Sequence, residues 1–212
     1  MTVFLSFIVT LLLGAPMALV SAVPNVTVTP IGRGCSAYPN WYPSPESDTT
    51  GGFRFRADQA DNSSINGLYS SVRYFPGSNG LRSGNIVITP NTMGATPGFC
   101  CVNGVIEDLY LTTAPAVTTI YFSASLYDAQ LTYLEDGGKV ETYAHEIGGV
   151  RQDGVFIGAG NVTTWGFKYQ PASASEPDYI EMRLLGPNSS DPTTGKPLRD
   201  GEFKGFLKVE GL

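Results

Sequence analysis

The one histidine of this 212-residue chain, His145, lies in Lys139 to Ile147 (KVETYAHEI), where strand alternation puts Glu141, Tyr143, His145 and Ile147 on one face. With Tyr143 as partner, His145 would make an acid/base pair able to take a proton from a sugar or a phenol in a shallow groove. The alternative is an ordinary histidine on a solvated outer face. No other chemistry-bearing residue converges on it in sequence, which favours that alternative. Carboxylate pairs offer a second chemistry. Glycoside hydrolysis needs two carboxyl groups roughly 5 to 9 Å apart, and Glu107, Asp108, Glu141, Glu146 and Glu181 are the candidates. Other chemistries are excluded by what the chain lacks. One histidine and three cysteines make most metalloenzyme sites implausible. No G-x-S-x-G elbow supports an α/β-hydrolase serine, and Gly158-Ala159-Gly160 lacks the following helix that a phosphate loop requires. No metal and no cofactor is expected.

The segment Tyr179-Ile180-Glu181-Met182-Arg183 resembles the catalytic strand of concanavalin-like glycoside hydrolases, over these few residues of one strand only. The resemblance implies a jelly roll with Glu181 projecting into its groove. Read from its residues, the same segment is a half-buried strand whose Glu181 pairs with Arg183 or with a neighbouring strand. Aromatic residues point to recognition. Tyr38, Trp41 and Tyr42 crowd into the Pro-rich stretch Ser36 to Gly52, and flat rings on loops suit sugar stacking or protein contact. Folding back over an open sheet end is their structural alternative. Trp165, Phe167 and Tyr169 alternate on one strand face and read as core.

Strands must position all of these residues. Past residue 22 no stretch has helical periodicity, whereas Phe53-Arg54-Phe55-Arg56, then Ile120, Phe122, Ala124 and Leu126, Ile180, Met182 and Leu184, and Phe203, Gly205, Leu207 and Val209 follow the two-residue period. Further strands are expected at Val26 to Ile31, Leu68 to Phe75, Asn85 to Thr89, Val105 to Thr112, Val117 to Tyr127, Ala129 to Leu134 and Lys139 to Ile147. Val155 to Gln170 is long enough to bend near Gly158 or Gly160. Asn-Gly and Asp-Gly pairs at Asn66, Asn79, Asn103, Asp136, Asp153 and Asp200 supply tight turns between them. The pattern predicts an all-β chain, an antiparallel two-sheet sandwich or jelly roll of about ten strands, with a closed β-barrel as the alternative.

Met1 to Ala22 contain none of the 13 basic or 19 acidic side chains. Their apolar run, Val3 to Leu13, is too short to span a bilayer and precedes Gly14, Pro16 and a Val20-Ser21-Ala22 cleavage site, which reads as a signal peptide. A single all-β domain over residues 23–212 is expected beyond it. Asn25, Asn62, Asn161 and Asn188 each begin an N-x-Ser/Thr sequon, and glycosylation of some is expected in a secreted chain. Of the three cysteines, Cys100 and Cys101 are adjacent, and a bond between neighbours is strained. Cys35 should therefore pair with one of them and leave the other as a thiol.

A net charge of −6 offers no footprint for nucleic acid or an anionic membrane. These readings lead to a secreted, extracellular glycoprotein that binds cell-wall glycan or extracellular protein without catalysis, with no membrane span after cleavage. The alternatives are a glycosidase or lyase on a jelly roll, using Glu181 or Tyr143 with His145, and a β-barrel holding or cyclising a small molecule.

Overall fold

The computed structural model describes residues 22–32, 34–44, 47–75, 83–90, 98–109, 117–121, 130–133, 139–174 and 176–212. Sixteen strands lie among them. They are β1 Thr27–Gly32, β2 Trp41–Pro43, β3 Asp48–Thr50, β4 Phe53–Asp58, β5 Ser70–Phe75, β6 Ser83–Ile88, β7 Phe99–Val102 and β8 Val105–Asp108. There follow β9 Val117–Tyr121, β10 Gln130–Tyr133, β11 Glu141–Ile147, β12 Val150–Arg151, β13 Val155–Gly158, β14 Thr164–Gln170, β15 Tyr179–Leu184 and β16 Glu202–Gly211. The helical content among the described residues is one 3-10 turn, Cys35–Ala37. Residues 1–21 of the leader, the Asn79-Gly80 and Asp136-Gly137 turns, and Phe122, Ala124 and Leu126 lie outside the described residues.

Side-chain alternation explains the strands. In β4, Phe53, Phe55 and Ala57 are buried while Arg54, Arg56 and Asp58 are half-exposed. Val155 to Gln170 breaks in two at its glycines. A Cβ on Gly158 would lie 1.9 Å from the carbonyl oxygen of Val162, and Gly160 and Asn161 both take positive φ, so the chain turns there. Asn103 and Gly104, with φ of 52° and 79°, form the tight turn that joins β7 to β8.

All pairings are antiparallel, and the sheet runs β1-β11-β13-β16-β14-β15-β6-β10-β9-β8-β7-β3-β2. Strand β4 pairs with β16 along Phe53–Asp58 and with β7 at Phe53↔Phe99, so the path folds back on itself and encloses a core in the manner of a sandwich. The path keeps two free ends, β1 and β2. Among the described residues the sheet is not closed into a barrel, against the barrel alternative.

Facing strands supply the core: Phe53 and Phe55 from β4, Ile86 and Ile88 from β6, Phe99 and Cys101 from β7, Trp165 and Phe167 from β14, and Met182 and Leu184 from β15. Phe55 stacks on Phe99 at 5.0 Å, and the Trp165 indole N–H donates to the Ile157 carbonyl at 3.0 Å. Burial of each such side chain stabilises the fold by roughly 1.5–3 kcal/mol. Two aromatic expectations are corrected. Tyr169 is 54% exposed because β14 runs past the core after Phe167. Tyr38 is buried and stacks on Phe53 at 4.8 Å, so it belongs to the core and is not a free loop ring.

Among the described residues no helix is long and apolar enough to cross a membrane.

Candidate functional site

The histidine face is not solvated. His145 is 0% exposed, stacked on Phe156 at 3.8 Å and edge-on to Phe206 at 4.6 Å. Strand β11 is buried on both faces, since Thr142 and Ala144 are buried on one side and Tyr143 and His145 on the other. The sequence signal lay in the partner strands. Phe156-Ile157 and Phe206-Leu207 put apolar side chains on both faces at once.

The His145 Nε2 shares a hydrogen bond of 2.8 Å with the Thr163 hydroxyl, while Nδ1 is buried without a partner. Burial pushes its pKa down to about 4, so the ring is neutral and enclosed. Tyr143 donates to Glu141 and accepts from the Asn161 amide at 2.8 Å, and the Gly160 amide donates to Glu141 at 2.7 Å. Burial, and then the bond to Glu141, push the phenol up to about 12. This group therefore braces the β13–β14 turn. His145 is closed off from solvent, and the Tyr143 phenol is protonated at neutral pH.

A test of stability against pH follows. The unfolded histidine binds a proton near pH 6.5 and the folded one only near 4. Between those values the unfolded chain holds more protons, so stability falls as pH falls through this window, by on the order of 3 kcal/mol. Urea midpoints at about pH 7 and about pH 4.5 measure it, and His145→Gln should flatten the difference. An equal pH slope in the variant would refute the assignment.

Glu181 lies on the sheet face turned away from the core, as alternation from buried Ile180 and Met182 requires. Its Oε1 accepts from Gln130 at 2.5 Å and from Arg199 at 3.0 Å, and its Oε2 from Gln170 at 2.7 Å. Of the two expected partners, the neighbouring strand is the one found, through Gln170 on β14, while Arg183 bonds Glu202. Arg73, Asn85, Gln130, Tyr179 and Glu181 line a cleft of about 120 Å³. Glu181 is the one carboxylate among the described lining residues, where two-carboxylate hydrolysis needs a second. Glu107, Asp108, Glu141 and Glu146 stand on β8 and β11 and do not line it. Sequence reasoning missed Arg73, Asn85, Gln130 and Tyr179, because each looks like an ordinary polar residue of a half-buried strand.

Trp41 and Tyr42 are exposed, at 41% and 56%. They sit on β2, an edge strand that pairs with β3 at Trp41↔Thr50, Tyr42↔Thr49 and Pro43↔Asp48. Asp48 anchors this hairpin. Its carboxylate accepts from the Cys35 amide at 2.8 Å and from the Trp41 indole N–H at 2.7 Å, while its backbone amide donates to Asn103 at 3.2 Å. The Cys35–Cys101 disulfide ties the adjoining turn to β7, with Cα atoms 5.4 Å apart. The indole is thus held by its N–H, and its ring is presented to solvent.

Cys100 is the free thiol, half-buried. Burial, and then Glu107 and Asp108, push its pKa up, which disfavours the thiolate. Of the sequon asparagines, Asn25, Asn161 and Asn188 are exposed and Asn62 is half-buried, its Oδ1 accepting from the Ser64 amide and hydroxyl. Among the described residues no group of three or more His, Cys, Asp or Glu could hold a metal ion.

No protein-family model matches the chain, and no curated protein matches it.

Proposed function

We propose that the protein is a secreted glycoprotein that binds extracellular or cell-wall glycan without catalysing a reaction, and that Trp41 and Tyr42 form its contact surface. One observation carries the reading: an exposed indole fixed by Asp48 on a hairpin that the Cys35–Cys101 bond tethers. Sugars expose faces of C–H groups that stack on aromatic rings, and a ring already held in place loses little conformational freedom on binding. Secretion is supported by the uncharged Met1 to Ala22 leader, by a disulfide that suits an oxidising compartment, and by the exposed sequon asparagines. The catalytic alternatives lose support from the enclosed His145, the protonated Tyr143 and a Glu181 engaged by Arg199, Gln130 and Gln170.

Contact with an extracellular protein is the second reading, favoured by two exposed aliphatic residues. Leu109 and Leu212, 41% and 54% exposed, flank Gly52, whose carbonyl accepts from the side chain of Asn40 next to Trp41.

Trp41→Ala should weaken binding to the strongest ligand on a glycan array by roughly 1–3 kcal/mol, the cost of removing a central anchor. Its melting temperature should stay close to that of the parent, because the ring is not core. Titration calorimetry and a thermal melt of both proteins decide it. Unchanged affinity in a folded variant would remove the hairpin as the contact surface.

A further inference from the structure

We propose that the cleft between β5, β6, β10 and β15 is a second binding site, separate from the aromatic hairpin, and that it takes one neutral sugar ring. Long-range pairing assembles it. Asn85 sits opposite Arg73 on β5 and opposite Thr132 on β10, and β6 reaches β15 through Ile180↔Ile88. The resulting hollow of about 120 Å³ is partly open to solvent, a size for the edge of a single ring and not for a chain of sugars.

The charges in and around the cleft select the ligand. Arg73 pairs with Glu176, and Glu181 pairs with Arg199 at 3.0 Å, so these four groups leave no net charge for an ionic ligand to meet. Carboxamides dominate what remains. Asn85 Nδ2 donates to Gln130 Oε1 at 2.8 Å, Gln130 donates on to Glu181, and Gln170 donates to the other Glu181 oxygen. A carboxamide has two donors and an acceptor, so each can hold its neighbour and still meet a ligand hydroxyl. Adjacent hydroxyls of a sugar present donor and acceptor together and match that chain. Tyr179 supplies an apolar wall for the ring's C–H edge. Its hydroxyl accepts from Arg73 at 2.7 Å, and the guanidinium lies 4.6 Å from its ring centre.

The experiment is a titration of isotope-labelled protein, followed by the side-chain amide resonances of Asn85 and Gln130. The probes are the methyl glycosides of glucose, galactose and mannose, with glucuronate and glucosamine as charged counterparts. At least one neutral glycoside should shift these resonances, and the charged counterparts should bind at least about tenfold more weakly. Gln130→Ala should weaken the neutral glycoside by about tenfold or more, the equivalent of a hydrogen bond within a coupled network. Asn85→Ala serves the same purpose if Gln130→Ala melts early. Three outcomes overturn the proposal: no shift with any neutral glycoside, equal binding of a charged counterpart, or unchanged binding in the folded variants. The reporting residues stand on β6 and β10, so this test and that of the hairpin fail independently.

Discussion

Arg183→Met is expected to lower the stability of the protein by about 3–5 kcal/mol, on the order of 10 °C in melting temperature. Both side chains of the Arg183–Glu202 pair are 1% exposed. The pairing is bidentate, from Nε to Oε1 and from Nη2 to Oε2, each at 2.7 Å. Arg183 also donates to the carbonyls of Ser189 and Pro197, and Glu202 accepts from the Arg199 amide at 2.8 Å. One guanidinium therefore pins the 186–201 loop to β15 and β16. Gly166 makes room for it, since a Cβ there would meet Glu202 Oε1 at 2.3 Å. Methionine fills similar volume but leaves the Glu202 charge buried without its cation, and that is the main cost. Arg183→Met combined with Glu202→Leu removes the stranded charge and should recover a large part of the loss. Urea and thermal unfolding of the three proteins test this. A single-variant loss under about 1 kcal/mol, or a double variant no more stable than the single one, would contradict it.

Removing the Cys35–Cys101 bond is expected to cost roughly 4 kcal/mol, as an upper figure from chain entropy for cysteines 66 positions apart. The bond also fixes the turn that leads into β2. Cys35 Sγ accepts from the Gly104 amide at 3.3 Å, and the Cys101 amide donates to Thr50 on β3 at 2.9 Å. Loss of the bond thus frees the Trp41 hairpin as well as the unfolded chain. Cys35→Ser with Cys101→Ser should melt lower and bind glycan more weakly, whereas Cys100→Ser should do neither. Non-reducing peptide mapping comes first. A bond that includes Cys100 would contradict the assignment.

Much of this architecture was legible because strands carry a local signature. The alternation of Phe53 to Arg56, the break at Gly158 to Gly160 and the Asn103-Gly104 turn all stand in the fold as their residues require. The cysteine pairing was legible down to a choice between neighbours, and alternation then buries Cys101 and leaves Cys100 half-exposed. Three short strands of the cystine end, β2, β3 and β7, were not expected, because three or four residues show no period. His145 was misplaced for a related reason. Its burial depends on Phe156 and Phe206 from strands paired in register far along the chain, and one strand read alone cannot reveal what covers its second face. The cleft was hidden in the same way. Arg73, Asn85, Gln130, Tyr179 and Glu181 come from four strands, and only long-range register brings them together. Glu181 was singled out in the sequence, yet its partners Gln130, Gln170 and Arg199 were not.

Binding and turnover are separated most directly by one comparison. The secreted protein is applied to a glycan array and, in parallel, incubated with the wall polysaccharides that carry the bound epitopes while reducing ends are counted. Saturable binding with no release of reducing sugar above a protein-free control is expected, because among the described residues His145 is enclosed and the cleft carboxylates Glu176 and Glu181 are each engaged by an arginine. Release of reducing ends that is lost in Glu181→Gln would contradict it and would make the cleft a catalytic centre.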